Sequence, residues 1–154
     1  MKVKDFMITD VITANENSTI KDVMKTLVIN KIGGVPIVNE ENKLIGIVSD
    51  GDLIRNLKPQ NEMLYNIYTF LLYVGKEELE DSVQSIKDQN IMTIAKKKGI
   101  YSVNPEDSIE DVLSILSKYH FKKIPVIDND KKVVGVISRG DVIRYIQKKI
   151  IDKL

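Results

Sequence analysis

Leu44-Ile45-Gly46-Ile47-Val48-Ser49-Asp50-Gly51-Asp52-Leu53 returns 89 positions later as Val133-Val134-Gly135-Val136-Ile137-Ser138-Arg139-Gly140-Asp141-Val142. An aliphatic run with β-branched residues reads as a strand, and Ser-x-Gly-Asp after it opens a helix. Extending the match outward lays residues 12–57 on residues 101–146 without a gap. Thirteen of those 46 positions are identical, among them Asn15/Asn104, Asp22/Asp111, Pro36/Pro125 and Arg55/Arg144. Eleven of the other 33 exchange one aliphatic for another. The chain is an internal duplication, and that decides how everything else in it is read.

Each copy carries the same order of elements. A short extended piece comes first, Val11–Ala14 or Ile100–Val103. A helix follows, with Ile20, Val23, Met24 and Leu27 on one stripe of the first copy and Ile109, Val112, Leu113 and Leu116 on that of the second. This i, i+3, i+4, i+7 spacing marks one buried face. In the second copy Asp107 and Glu110 have the spacing of a capping box. Two β-rich runs come next, Val35–Val38 with Leu44–Val48 and Ile124–Ile127 with Val133–Ile137. They are joined by the polar turns Asn39–Asn42 and Asp128–Lys131. A second helix starts near Ser49 or Ser138. In the second copy its apolar positions continue through Ile143, Ile146, Ile150 and Leu154, whereas Pro59 ends it in the first.

The predicted fold is therefore α/β of the α+β kind: two pseudo-symmetric β-α-β-β-α repeats packed into one module. About 50 residues rarely bury enough apolar surface alone, so the copies are expected to pack on each other about a pseudo-twofold axis. The units are residues 1–57, an inter-repeat helical linker at 58–90, and residues 91–154. The linker opens with an aromatic, helix-compatible stretch, Met63–Tyr73, ended by Gly75. A polar helix over Glu77–Gln89 and a Lys96–Lys98 loop follow it. The aromatic stretch reads as cover for core, or as a dimer or partner surface.

Composition removes several functions. The 154 residues carry 23 Lys and Arg against 22 Asp and Glu, so no overall field draws in nucleic acid or an anionic membrane. The short runs Lys96–Lys98 and Lys148-Lys149 read as solvated faces. No Cys and one His leave no thiol nucleophile and no intrachain His- or Cys-based metal site. There is no phosphate-binding Gly-x-x-x-x-Gly-Lys and no Gly-x-Gly-x-x-Gly. The N-terminus lacks the apolar core of a signal peptide, and the longest apolar stretch, 63–74, is shorter than the roughly 20 residues a membrane helix needs. A cytoplasmic protein is expected, with no catalytic residues, no metal, no membrane and no nucleic acid partner.

The doubled order of motifs resembles the tandem CBS-domain pair, the regulatory module named after cystathionine β-synthase. The matching residues are Val11-Ile12-Thr13, Gly33-Gly34-Val35-Pro36-Ile37-Val38 and Leu44–Leu53 in the first copy. In the second they are Tyr101-Ser102-Val103, Lys122-Lys123-Ile124-Pro125-Val126-Ile127 and Val133–Val142. The resemblance implies a module that is not an enzyme and has no catalytic cofactor. It implies adenosine-containing ligands (AMP, ADP, ATP or S-adenosylmethionine) in clefts between the repeats, association into a homodimer, and a signal to an effector protein.

The chemistry of the motif suits such a ligand. A carboxylate accepts both hydroxyls of a ribose diol, and Asp52 and Asp141 match the family's ribose-binding Asp. Each stands in the first turn of a helix beside Ser49 or Ser138, where free N–H groups favour a phosphate. Ser-x-x-Asp is also a helix cap that stabilises by about 1 kcal/mol with no ligand at all. By resemblance, backbone at Gly34-Val35-Pro36 and Lys123-Ile124-Pro125 reads the adenine edge, and Thr13 and Ser102 match a polar contact position. Pro36 and Pro125 equally suit strand starts, where a missing N–H is harmless. The position after the motif Ser is Asp50 in one copy and Arg139 in the other. Arg clamps a phosphate that Asp repels. His120, Lys122 and Lys123 add to that difference, so the second motif is expected to serve the stronger phosphorylated-ligand site. His120 reads as a helix-end or core residue, and Arg55 and Arg144 pair with the motif Asp or with a neighbouring helix, a solvated ion pair being the default. The alternative function is a ligand-free dimerisation or protein-interaction module.

Overall fold

In the computed structural model, which describes residues 1–57 and 79–154, each repeat is built around one β-hairpin. The first repeat runs β1 (Ala14–Asn15), α1 (Ile20–Asn30), β2 (Gly34–Val38), β3 (Leu44–Ser49) and α2 (Asp50–Leu57). Helix α3 covers 79–86. The second repeat runs α4 (Ile109–Lys118), β4 (Lys123–Ile127), β5 (Val133–Ser138) and α5 (Arg139–Lys149). The sheets are β1-β2-β3, with β1 parallel to β2, and the antiparallel pair β4-β5. Both hairpins carry a register shift at the same place, Ile37/Val38 and Val126/Ile127. Their turns are built alike. The Asn39 and Asp128 side chains accept backbone N–H groups two and four residues on, and Asn42 and Lys131 take left-handed φ values of 61° and 64°. The α+β duplication expected from the sequence is the observed fold.

Local structure departs from expectation at four places. The α4 box is made by Ser108 and Asp111, as Thr19 and Asp22 make it for α1. Asp107 instead accepts the Asn104 N–H at 2.7 Å, so the helix begins one residue later than its acidic spacing indicated. Helix α5 stops at Lys149 and a 3-10 turn follows. Ile143, Ile150 and Leu154 are exposed, because only Val142, Tyr145 and Ile146 face the core. The leading extended pieces shrink to the two residues of β1 and a single bridge, Val103 to Val126. The polar helix expected to reach Gln89 ends at 86, where turns lead into Asn90. Pro59 and the aromatic stretch 63–73 lie outside the described residues.

Each repeat has its own core. Ile20, Val23, Leu27, Val35, Ile37 and Val48 fill the first, and Ile109, Val112, Ile124, Val126, Ile137 and Val142 the second. The segments before each repeat are exchanged. Val3 is fully buried in the second core, and Ile8 trades both backbone hydrogen bonds with Val136. Ile91 and Ala95 complete the first core, and Lys96 trades the same pair with Ile47. So by chain order residues 1–8 precede the first repeat, but by packing they belong to the second. The expected pseudo-twofold relation appears at the turns: Leu44 N–H bonds the Lys131 carbonyl and Val133 N–H bonds that of Asn42, both at 3.0 Å.

An exposed cluster pins the first of these segments. Glu106 accepts from Lys2 at 2.5 Å and Lys4 at 2.6 Å, and these bonds, with the charges behind them, pull its pKa down to about 2. A carboxyl with a lowered folded pKa adds stability above its unfolded value, and that stability goes as pH falls through the folded one. The window here runs from 4.5 down to about 2. Amide-exchange protection at Ile8 is expected to fall across that window while Ile124 stays protected, and Glu106→Gln is expected to flatten the difference. If Ile8 titrates identically in Glu106→Gln, the cluster holds nothing.

Candidate ligand site

The antiparallel registers bring the motif pieces together. Gly34 pairs with Ser49 across β2-β3, and Lys123 pairs with Ser138 across β4-β5. The start of one strand therefore lies directly opposite the Ser that opens the following helix. Val35 and Ile124 sit one step inward, 1% and 0% exposed, beside the buried Pro36 and Pro125. Strand β1 reaches only Ile37 and Val38, so Pro36 forfeits no hydrogen bond to it. Thr13 precedes Ala14, the partner of Ile37, and Ser102 precedes Val103, the partner of Val126, so both hydroxyl residues lie level with the prolines and are half-buried.

Asp52 and Asp141 accept hydrogen bonds from equivalent partners. One Asp141 oxygen accepts from Ser138 N–H and Oγ, at 3.3 and 2.5 Å, and the other from Arg144 at 2.6 Å. Asp52 takes Ser49 N–H and Oγ at 2.8 and 3.0 Å, and Arg55 at 2.6 Å. Of the two pairings open to them, Arg55 and Arg144 take the one with the motif Asp. Burial works to raise the Asp141 carboxyl, but the bonds from Ser138 and Arg144 outweigh it and keep it below the usual range. Each carboxylate side chain stays about one-fifth exposed, 18% and 20%. A carboxylate has about four acceptor positions, so each retains capacity for further donors in a fixed orientation.

The charge layout differs from the one read along the chain. Lys122 and Lys123 belong to the second repeat, yet their side chains reach the first. Lys122 Nζ lies 3.6 Å from the Asp50 carboxylate, and Lys123 Nζ donates to the Gly34 carbonyl at 3.4 Å. Partial burial pushes the Lys123 ammonium below its usual pKa, and the Asp141 charge offsets part of that. Lys123 therefore stands between the Gly34 carbonyl of the first repeat and the Asp141 charge of the second. Asp50 faces a cation instead of standing alone, so it opposes a phosphate less than its sequence position implied. Arg139 is exposed and has no ion-pair partner among the described residues. His120 is exposed beyond the end of α4. Sequence reading missed an aromatic trio beside the start of β4. Tyr101 and Tyr119 pack at 4.3 Å, Phe121 packs on both, and Lys96 sits 5.0 Å over the Phe121 ring. The first repeat has Ile12, Asn30 and Ile32 there. Their separation along the chain hid the cluster.

The family model described as CBS domain matches residues 3–59 and 90–148, both copies of the duplication. The chain belongs to the CBS domain family. This CBS pair is 28% identical over 152 residues to an uncharacterized protein of Methanocaldococcus jannaschii, covering 93% of this chain and 89% of that one. It spans only 40% to 58% of several other curated relatives. Among solved structures it is similar to CBSX2 of Arabidopsis thaliana, solved in complex with AMP, with TM-score 0.70, 23% identity and 96% of each chain covered. It is also similar to the CBS domain pair of protein MJ0100, solved with 5'-methylthioadenosine and S-adenosyl-L-methionine. There the TM-score is 0.69 and the identity 24%, over 97% of this chain and 98% of that one. Among the described residues no helix is long and apolar enough to cross a membrane, and no cluster of His, Cys, Asp or Glu is placed to hold a metal.

Proposed function

We propose that this CBS pair is a regulatory module, not an enzyme, that binds an adenosine-containing ligand between its repeats. The observation that carries the reading is the twice-built pairing of helix start and strand start. In each, a Ser-tethered, partly exposed carboxylate at a helix start faces the opening residues of the neighbouring strand. The ligands in CBSX2 and MJ0100 are of that chemical class. Thr13, Gly34, Val35, Pro36, Ser49 and Asp52 are the proposed contacts of one end. Ser102, Lys123, Ile124, Pro125, Ser138, Arg139 and Asp141 are those of the other.

The same reading includes the repeat boundaries 1–57, 58–90 and 91–154, a cytoplasmic setting, an effector protein, and a homodimer. Support for the dimer comes from Ile54 and Ile143, which occupy equivalent positions of α2 and α5, are identical in both copies, and are 67% and 62% exposed. Light scattering is expected to give a dimer that the double substitution Ile54→Asp, Ile143→Asp converts to monomer. A monomeric parent chain would remove that part of the reading.

The central test is thermal unfolding against AMP, ADP, ATP, S-adenosylmethionine and a guanosine nucleotide control. Ligand at about 100 times its Kd adds about 2.7 kcal/mol. In a chain of this size that raises Tm by roughly 5–10 °C. No shift with any adenosine ligand would leave Ser-x-x-Asp a helix cap and favour the interaction-module alternative.

A further inference from the structure

Helix α1 is apolar on two faces. Ile20, Val23 and Leu27 are buried in the first core, whereas Val28 and Ile29 stand 77% and 74% exposed. β-Branched residues are weak helix formers, and packing in the core does not require these two. The duplication supplies an internal comparison. At the positions of Lys21, Met24, Lys25, Val28 and Ile29, helix α4 carries Glu110, Leu113, Ser114, Ser117 and Lys118. One copy therefore keeps an ordinary polar outer face and the other does not.

The exposed face of α1 is one wall of a groove of about 460 Å³ whose other wall is α3, at Val83, Gln84 and the following Lys87. The walls are fixed at one end. The first N–H groups of α1, at Ile20 and Lys21, bond the carbonyls of Gln89 and Lys87, both at 2.9 Å. Ile86 packs against the first core. Lys21, Lys25 and Lys87 line the groove, and among the described residues no carboxylate does. An apolar floor between two anchored helices suits the i, i+3, i+4, i+7 side chains of a third helix, and three ammonium groups select acidic flanks.

From these features we infer that the α1–α3 groove is a docking site for an acidic amphipathic helix of a partner protein. The site is separate from the Ser-x-x-Asp ends and does not depend on their ligand.

The probe is a fluorescein-labelled 14-residue model helix with Leu at i, i+3, i+4 and i+7 and Glu elsewhere, compared with the same peptide carrying Lys for Glu. Anisotropy is expected to show the acidic peptide binding the full chain and the basic one binding at least tenfold more weakly. Val28→Ser with Ile29→Lys installs the residues of the second copy in the first. It is expected to weaken the acidic peptide at least tenfold while leaving Tm unchanged. Lys21→Glu with Lys25→Glu is expected to reverse the preference between the peptides. Binding of neither peptide, equal binding of both, or indifference to Val28→Ser with Ile29→Lys overturns the inference. So does a parent dimer that this double substitution dissociates while the acidic peptide fails to bind, because a second copy is then the occupant.

Discussion

Asp141→Asn is expected to abolish most of the adenosine-ligand shift in Tm while moving the ligand-free Tm little. The asparagine keeps an oxygen where Ser138 N–H and Oγ donate, so the α5 cap survives in part. It loses the charge that pairs with Arg144 and one of the two oxygens a ribose diol needs. Charge-assisted hydrogen bonds are worth about 1.5–3 kcal/mol each. Losing one from the ligand lowers affinity by roughly 10- to 100-fold and shrinks a shift of several degrees toward nothing. The companion Asp52→Asn is expected to have the smaller effect. Arg139 has no ion-pair partner among the described residues, whereas Asp50 holds the same position at the first motif and engages Lys122. Differential scanning fluorimetry with saturating AMP reads both variants. A full ligand shift in Asp141→Asn reduces this carboxylate to a cap, and loss confined to Asp52→Asn reverses the ranking of the ends.

Gly135→Val is expected to destabilise the fold by about 1–3 kcal/mol, the range of over-packed cores, and to lower Tm by roughly 2–12 °C. A Cβ built at Gly135 meets Met7 Sδ at 2.6 Å, Met7 Cγ at 3.1 Å and the Ile8 carbonyl at 3.3 Å. The methionine end has room to give way, but the carbonyl is bonded to Val136 N–H at 3.0 Å and holds the exchanged segment on β5. The same change at Gly46 is expected to do less, because its nearest neighbours (the Lys96 carbonyl, Ile37 and Met92) lie at 3.4–3.5 Å. Met7→Ala is expected to restore part of the stability in the Gly135→Val background and none in Gly46→Val. Urea unfolding of the four variants tests this. Equal losses at both glycines would mean that strand propensity, and not the overlying segment, decides the cost.

Much of this molecule was legible in the chain. The hairpins, the helix stripes and the Ser-x-x-Asp starts follow from short-range pattern, and the duplication read each of them twice. What failed locally failed for local reasons. Asp107 and Ser108 are both competent caps, and only the backbone of the turn selects Ser108. The apolar spacing beyond Ile146 continues a helical period, but no core lies beneath Ile150 and Leu154, so the helix ends without burying them.

The candidate site divides in the same way. Asp52, Asp141 and their Ser partners were visible because a helix start is a four-residue signal. The reach of the cations was not visible, because Lys122 and Lys123 also act on Asp50 and Gly34, far away in the chain. At Gly46 and Gly135 the nearest neighbours include a segment from outside the glycine's own repeat, Met92 and Lys96 at one and Met7 and Ile8 at the other, which no local pattern announces.

The sequence by itself therefore determined the duplicated helix-hairpin-helix order, the core positions Ile20, Val23, Leu27, Ile109 and Val112, and the carboxylates, but not that Leu113 is exposed. Only the tertiary structure decided which leading segment closes which core, which lysine neutralises Asp50, and that one face of α1 becomes a groove. The physical reason is the range of the interactions. Caps and amphipathic periods are set within a few residues. The pseudo-twofold contacts join residues roughly 90 positions apart in the chain, and no local preference encodes them.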